Sequence, residues 1–281
     1  MAFRFRRIAF LSKKTKRSAT IAMKALDHLE KQRKRGAFEQ LFIEDATAYF
    51  LKLKQARHSL NEIRDSADCM IIIGGDGTFL SSEYHFPGIP KLGINTGSVG
   101  FLPNLSVNYL EEGLELFFSN KFSIEKRAKI SCSCGKRSMN ALNDISIFAK
   151  NPARAIKLEV SSKNFTETFL GNGIVFATPT GSTAYSLSVG GPIVYPSVNC
   201  MIASPISPVN PMLRPMVFPT SEKFRVKVLD RVALASADGI SPERFYEGEI
   251  SASKEYANLI TVQKEQLWNR LKRKQLSSPS A

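Results

Sequence analysis

Apolar and polar residues follow two different patterns along this chain. Over the first 120 residues, short apolar-rich runs predict strands of a parallel sheet, and the continuously apolar run at residues 69–73 predicts a buried one. These runs lie at residues 5–11, 40–43, 69–73 and 90–94. Between and after them, apolar residues recur three or four positions apart, which predicts helices. The helical stretches lie at residues 19–35, 46–60 and 107–118.

The pattern changes beyond residue 121, where short alternating segments replace the helical spacing. Segments of this kind at residues 122–130, 155–161 and 165–170 predict hairpin strands. Eight prolines between residues 178 and 220 exclude a long helix there, because proline interrupts the helical hydrogen bonds.

These patterns predict two domains and a C-terminal element. Residues 1–120 are expected to form an α/β N-terminal domain with a parallel, Rossmann-like sheet. Residues 121–262 are expected to form a β-rich C-terminal domain, so that the fold is α+β overall. Residues 263–281 are expected to form a basic helix that packs back on the N-terminal domain, followed by a disordered tail.

Composition is that of a globular protein able to bury a core, with 43% hydrophobic and 23% charged residues in 281. No apolar run approaches the roughly 18 residues of a membrane helix, and the apolar stretch near the start is too short for a signal peptide. We therefore expect a cytoplasmic protein with no membrane partner. Of the four cysteines, two form a Cys-x-Cys pair without a nearby histidine, which favours reduced thiols over a metal site.

The net charge of +14 is compatible with nucleic acid or with anionic small molecules such as nucleotides. The basic clusters lie at residues 13–17, 31–35 and 270–274, and no aromatic residues alternate with them. Binders of single-stranded nucleic acid use such aromatics for stacking. The clusters are therefore interpreted as solvated faces, and no nucleic-acid partner is expected.

Three glycines surround one acid, Asp76, directly after the third predicted strand. Glycine lets a ligand approach the main chain closely, and ligands of open α/β sheets bind just beyond the carboxyl ends of the strands. Exposed backbone N–H groups in such a turn can hold phosphate oxygens. The simpler alternative is a strand followed by an ordinary Asp-Gly turn.

Two further stretches combine polar side chains with an adjoining apolar strand. Asn143 and Asp144 precede a buried run and are suited to ribose hydroxyls or an amine, although a hairpin turn explains them equally well. Residues 178–188 are rich in hydroxyl groups and carry Tyr185, whose flat ring suits a base or nicotinamide. A capped helix and a core tyrosine are the alternatives, but packing alone is not expected to explain so many hydroxyls. Asp238 and Gly239 are interpreted as a turn.

Several familiar signatures are missing from the sequence. It has neither a Walker P-loop motif nor a Gly-x-Gly-x-x-Gly after the first strand. Its three histidines, His28, His58 and His85, all precede the β-rich half, which excludes histidine-based catalysis from that half.

At these residues the chain resembles the NAD kinases, which transfer the γ-phosphoryl of ATP to the 2′-hydroxyl of the adenosine ribose of NAD. Residues 74–78 resemble the family's GGDGT, residues 95–102 its NxGxxGFL, and Asn143 with Asp144 its Asn-acid pair. Residues 177–192 reproduce ATPTGSTAYSLSxGGP almost unbroken. GGDGT alone is shared with lipid kinases and phosphofructokinases, whereas the long second motif is specific.

The resemblance implies that Asp76 is the general base and that Mg²⁺ or another divalent cation is carried by ATP, without a metal site in the protein. It also implies that ATP and NAD are the substrates and that the protein is a homo-oligomer, a dimer or a tetramer, with part of the NAD site reaching a neighbouring subunit. The residues implied to bind the ATP phosphates are Gly74, Gly75, Gly77 and Thr78. The residues implied to bind NAD are Asp76, Gly77, Phe101, Asn143, Asp144, Arg154, Asn172, Thr183, Ala184, Tyr185, Ser186, Leu187 and Ser188.

The chain departs from the family at a few positions. Asn172 stands where the family usually has an acid, and Val209 where it usually has histidine. A diacylglycerol or sphingoid kinase that shares the GGDGT loop is the alternative function, and a basic binding protein without enzymatic activity is a third.

Overall fold

The structure is a computed structural model that describes residues 4–54, 57–97, 100–103, 105–135, 137–262, 268–269 and 271–272. The chain divides into two compact units, Met1–Lys126 with Ala257–Ala281, and Arg127–Tyr256. The domain boundaries at residues 120 and 262 stay a prediction. Of the predicted C-terminal helix and tail, only residues 268–269 and 271–272 are described, and they are helical.

The first unit is built on a parallel sheet in the order β2-β1-β3-β4-β5. Its strands are β1 (Arg7–Ser12), β2 (Gln40–Ile43), β3 (Cys69–Gly74), β4 (Lys91–Asn95) and β5 (Leu105–Ser106). Its helices are α1 (Lys16–Lys34), α2 (Asp45–Phe50), α3 (Leu60–Ser66), α4 (Asp76–His85) and α5 (Leu110–Phe118). The strands β3 and β4 lie side by side, so the segments that follow them emerge at the same edge of the sheet.

The predicted helix at residues 46–60 is wrong as a single element. The structure has two short helices there, α2 and α3, separated by a turn. Lys52 has a φ of 55°, which lies in the left-handed region and ends the first helix. Ser59 begins the second through a capping box with Glu62.

Helix α4 places a buried ion pair beneath β4. The Nζ of Lys91 lies 2.7 Å from Oε2 of Glu83, and both side chains are almost completely shielded from solvent. The same Nζ donates to the main-chain carbonyl oxygens of Phe86 and Ile89. The ammonium group is therefore satisfied by protein atoms, as a buried charge requires.

The second unit consists of two largely antiparallel sheets, which confirms the predicted β-rich fold class. The first contains strands in the order β10-β9-β14-β17, with β6 and β7 as a hairpin, and the second has the order β13-β12-β11-β8-β15-β16. The strands are β6 (Ser123–Cys134), β7 (Arg137–Ala141), β8 (Asp144–Ala149), β9 (Ile156–Ser161), β10 (Thr166–Gly171), β11 (Gly173–Ala177), β12 (Cys200–Ile206), β13 (Met216–Pro219), β14 (Phe224–Val228), β15 (Ala233–Ala237), β16 (Ile240–Phe245) and β17 (Glu247–Thr261). The proline-rich region holds one short helix, α6 (Tyr185–Ser188).

The main core of this unit receives inward-facing residues from β8, β9, β11 and β14, such as Ile147, Leu158, Phe176 and Phe224. A smaller cluster of Val175, Ala177, Ile202 and Ile206 is formed by residues of β11 and β12. In the described part of the chain, no helix is long and apolar enough to cross a membrane.

Candidate active site

Asp76 is the first residue of α4 and follows β3 after a single residue, Gly75. Its Oδ1 accepts hydrogen bonds from the main-chain N–H groups of Phe101 and Leu102, both at 2.9 Å, and its Oδ2 accepts from Phe101 at 3.1 Å. The turns that follow β3 and β4 therefore meet at one carboxylate. Residues 98 and 99, which belong to the second turn, lie outside the described residues.

The glycines of the two turns serve different purposes. A Cβ on Gly100 would lie 2.9 Å from Oδ1 of Asp76, so glycine is needed there for the carboxylate to reach the turn. A Cβ on Gly74 would collide with the side chain of Thr78. At Gly75 and Gly77, by contrast, a Cβ would meet no protein atom within 4 Å, and neither residue has a positive φ. Protein packing does not demand glycine at these two positions, and they leave open space for a ligand.

The open side of Gly75 and Gly77 borders a cavity of about 390 Å³ at the carboxyl ends of β1 and β3. Lys13 and Lys14, in the segment between β1 and α1, line the same cavity. These two lysines belong to a basic cluster that was expected to be only a solvated face. Both are exposed, and they add positive charge to the space beside the glycines.

In the second unit, Asn143 and Asp144 form the turn that leads into β8, and Asp238 holds this turn. The Asp238 carboxylate accepts hydrogen bonds from the main-chain N–H groups of Leu142, Asn143 and Asp144 at 2.7–3.1 Å. Asp238 lies in the turn between β15 and β16 and has a φ of 53°, in the left-handed region. The sequence interpretation of Asp238 as a plain turn residue therefore missed its role.

Burial dominates the electrostatics of this turn. It raises the pKa of Asp144 to about 7, and the neighbouring charge of Asp238 adds to the effect. Burial also raises the pKa of Asp238, against the lowering effect of its three backbone hydrogen bonds. The pKa of Tyr185 is raised by burial and by the charge of Asp144, which places the phenol near this acid.

The hydroxyl-rich segment packs directly on the same turn. Thr178 donates its hydroxyl to the carbonyl oxygen of Leu142 at 2.6 Å, and its N–H to that of Asn143 at 2.9 Å. A Cβ on Gly181 would collide with the Asn143 backbone, so glycine permits this close approach. Ser182 donates to the carbonyl oxygen of Pro179.

The alternative of a side-chain-capped helix does not describe this segment. Residues Thr180–Thr183 form a 3-10 turn, and neither this turn nor α6 has a side-chain cap. The expectation that packing does not explain these hydroxyls is wrong for five of the seven in residues 178–188. The hydroxyls of Thr178, Thr180, Ser182, Thr183 and Ser186 are buried and hydrogen-bonded within the protein.

The remaining predicted residues of this segment differ in accessibility. Tyr185 and Leu187 are each 40% exposed, and Ser188 is exposed as well. Thr183 is buried and Ala184 is half-buried next to the Asn143 turn. Ser186 is completely buried and shares a hydrogen bond with Ser204 at 3.0 Å.

Asn172 and Arg154 lie at the other end of the sheet. β8 and β11 are antiparallel, and Ala177 pairs with Asp144 whereas Gly173 pairs with Phe148. Four strand residues separate the two ends, a distance of roughly 13 Å. Asn172 donates its side-chain amide to the carbonyl oxygen of Pro152 and so holds the turn that carries Arg154. The structure therefore does not bring these two residues to the Asn143 turn of the same chain.

The described residues contain no group of three or more histidine, cysteine, aspartate or glutamate side chains arranged to hold a metal ion. Cys132 and Cys134 are free thiols whose sulfur atoms lie 3.2 Å apart on β6.

Comparison with known families matches both halves of the chain. Residues 6–122 match the ATP-NAD kinase N-terminal domain, and residues 142–262 match the ATP-NAD kinase C-terminal domain. An NAD kinase of Flavobacterium psychrophilum is 34% identical over 203 residues, or 69% of this chain and 68% of that protein. An NAD kinase of Caldanaerobacter subterraneus is 35% identical over 76% of this chain and 80% of that protein. A bifunctional NADP phosphatase/NAD kinase of Methanocaldococcus jannaschii is 36% identical over 73% of this chain, which spans only 37% of that longer protein.

Two solved structures share the fold. Yeast NADH kinase complexed with NADH superposes with a TM-score of 0.87 at 23% identity, covering 98% of this chain and 89% of the yeast chain. An NAD kinase from Archaeoglobus fulgidus in complex with ATP superposes with a TM-score of 0.74 at 27% identity, covering 95% and 99% of the two chains. With both domain matches and relatives above 30% identity, this chain belongs to the ATP-NAD kinase family.

Proposed function

We propose that this chain transfers the γ-phosphoryl group of ATP to the 2′-hydroxyl of the adenosine ribose of NAD, with Asp76 as the general base. Family membership supports the overall reaction. The observation that carries the role of Asp76 is its fixed carboxylate, held by the N–H groups of Phe101 and Leu102 beside two glycines that face open space.

Asp76 retains capacity to accept the substrate proton. A carboxylate offers about four acceptor positions. Oδ1 takes two hydrogen bonds at 2.9 Å, whereas Oδ2 takes a single longer one. In the proposed step Oδ2 accepts the 2′-hydroxyl proton, the ribose oxygen attacks the γ-phosphorus, and the bond to the β-phosphate oxygen breaks to release ADP. General-base catalysis of this kind contributes roughly 10²- to 10⁴-fold.

The cavity beside Asp76 suits the donor phosphates. Gly75 and Gly77 leave the main chain open, and Lys13 and Lys14 supply positive charge. Thr78 lines the same cavity, while Gly74 is required for packing against Thr78. Mg²⁺ characteristically binds through substrate phosphates with few protein ligands. Glu44 is the one acid among the described residues that line this cavity. Its carboxylate already accepts hydrogen bonds from the N–H and the hydroxyl of Thr47. This supports a cation held by the phosphates of ATP rather than by the protein. When bound, it spreads the charge that develops on the transferred phosphoryl group.

The second unit is proposed to hold NAD. Asn143 and Asp144 offer amide and carboxyl groups on a turn fixed by Asp238. Tyr185 offers a partly exposed ring near Asp144, and Leu187 and Ser188 present accessible side chains beside it. The other predicted NAD contacts in this neighbourhood, which we retain as proposals, are Thr183, Ala184 and Ser186. Of these, Ser186 is buried and acts through packing in this structure.

Asn172 and Arg154 are proposed to contact the NAD of a neighbouring subunit in a homo-oligomer. The side-chain amide of Asn172 holds the turn that carries Arg154, so the two residues are proposed to act together. Phe101 is proposed to pack by the NAD adenine, since its backbone is fixed on Asp76.

The proposal is tested by incubating the purified protein with ATP, Mg²⁺ and NAD. The expected result is equimolar NADP and ADP, with no product after chelation of the cation. Parallel reactions with diacylglycerol and sphingosine test the alternative acceptor class. Phosphorylation of a lipid, without NADP under any condition, would overturn the assignment.

A further inference from the structure

A second cavity of about 1040 Å³ lies in the first unit, along helix α2 and the residues that follow it. Lys14 lines both this cavity and the smaller one beside Gly75 and Gly77. The two spaces therefore adjoin at one lysine side chain. We refer to the larger space as the α2 groove; its volume is ample for a nucleoside.

The α2 groove has an aromatic surface. Tyr49 lines it and is 71% exposed, whereas the residues before it in α2, Thr47 and Ala48, are buried. The guanidinium carbon of Arg57 lies 5.5 Å from the centroid of the Tyr49 ring. A largely exposed ring next to a cation presents a flat surface on which a base can stack.

The groove is also positively charged. Lys14, Lys52, Lys54 and Arg57 line it with one acid, Asp45. Lys52, the left-handed residue that ends α2, is one of these cations. A ligand for this space therefore combines negative charge with a flat ring.

We infer that the base and ribose of the donor nucleotide bind in the α2 groove, with the base stacked on Tyr49. From there the triphosphate runs past Lys14 to the main chain at Gly75 and Gly77. This assignment rests on the proposed function for the identity of the donor. It adds a site for the base, which the glycine turn and its lysines do not provide.

A longer inorganic polyanion would use the lysines of the groove but would have no use for the Tyr49 ring. The exposed ring is therefore the feature that separates a nucleotide from a chain of phosphates. The two ligands make opposite predictions for a variant that removes only this ring.

The test measures binding of Mg·ATP and of Mg·tripolyphosphate by calorimetry, without NAD, for the wild type and for Tyr49→Ala. Base stacking on an aromatic ring contributes about 1–3 kcal/mol, so the Kd for Mg·ATP is expected to rise by roughly 5- to 150-fold. The Kd for Mg·tripolyphosphate is expected to stay within about twofold. Tyr49→Phe should retain ATP affinity, because it keeps the ring.

Tyr246→Ala is the matched control, since Tyr246 is also an exposed tyrosine and belongs to the second unit. It should leave both dissociation constants unchanged. Equal weakening of both ligands by Tyr49→Ala, or no change in ATP affinity, would overturn the inference. Because these are binding measurements, a chain that binds Mg·ATP through Tyr49 but forms no NADP would contradict the proposed function and leave this inference standing.

Discussion

Asp238 and Asp144 are two buried acids joined through the main chain, with the N–H of Asp144 donating to Oδ1 of Asp238 at 3.1 Å. Their proximity has an electrostatic consequence, because burial together with the charge of Asp238 raises the pKa of Asp144 to about 7. A carboxyl group in this state changes its charge near neutral pH, at a turn that is proposed to bind NAD.

Stability should fall as the pH rises through the acidic range. The unfolded chain releases the Asp144 proton near its ordinary pKa of 3.8, whereas the folded chain retains it until about pH 7. Between these values the folded state binds more protons, so the free energy of unfolding decreases with increasing pH. Urea titrations from pH 4 to pH 8 measure this slope. Asp144→Asn should flatten it over that window, and an unchanged slope would show that Asp144 titrates normally.

Removing the charge of Asp238 should loosen the turn that carries Asn143. In Asp238→Asn, the side-chain amide has one acceptor oxygen for three main-chain N–H groups. Each buried donor left unsatisfied costs about 1–3 kcal/mol. We expect the free energy of unfolding to fall by that order, and the KM for NAD to rise while the KM for ATP is unchanged.

A matched control for this variant is Asp230→Asn. Asp230 also accepts a main-chain N–H, from Lys157, but the bond is exposed. Its replacement should change stability by about 0.5 kcal/mol or less. Equal effects of the two substitutions on stability and on NAD would mean that Asp238 has no special role in the turn.

Glycine at positions 75 and 77 should be dispensable for folding but required for ATP binding. An added methyl group meets no protein atom at either position, and replacement of glycine restricts the unfolded chain. Gly75→Ala and Gly77→Ala should therefore leave thermal stability unchanged or slightly raised, while the KM for ATP increases. Gly74→Ala is the contrasting variant, because its methyl group collides with Thr78, and it should lose about 1–3 kcal/mol of stability. A normal KM for ATP in both Gly75→Ala and Gly77→Ala would show that the main chain at these positions does not bind ATP.

The buried ion pair of Lys91 and Glu83 predicts a large stability effect. Lys91→Met leaves the Glu83 carboxylate buried without this cation. We expect the free energy of unfolding to fall by about 3–5 kcal/mol, as is typical when one partner of a buried ion pair is removed. Chemical denaturation measures the change. Lys223→Met breaks the exposed pair with Glu249 and should cost less than about 1 kcal/mol. Comparable losses in the two variants would contradict the importance of burial.

The sequence predicted those features that depend on local pattern. The apolar runs predicted four strands of the parallel sheet within one or two residues, and the glycines after β3 predicted the turn before α4. The ligand expected at that turn stays a prediction. The break between α2 and α3 was missed, because the left-handed conformation of Lys52 has no signal in its residue type.

Long-range contacts were beyond the sequence pattern. Asp238 lies 94 to 96 residues from the backbone groups it holds, and an Asp-Gly pair looks like any other turn. The hydroxyls of residues 178–186 were interpreted as functional because their hydrogen-bond partners are not apparent from the local sequence. Their buried partners, such as Ser204 for Ser186, come from distant strands.

The role of Asp76 as the base is tested most directly by the turnover of Asp76→Asn, measured as NADP formed from ATP and NAD, together with NAD affinity from calorimetry. Asparagine keeps the size of the side chain and an oxygen for the Phe101 and Leu102 N–H groups, but it does not act as a base. With Asp76 as the base, NAD affinity should stay within a few-fold of the wild type and kcat should fall by roughly 10²- to 10⁴-fold. Near-normal turnover in this variant would contradict the assignment of Asp76 as the base.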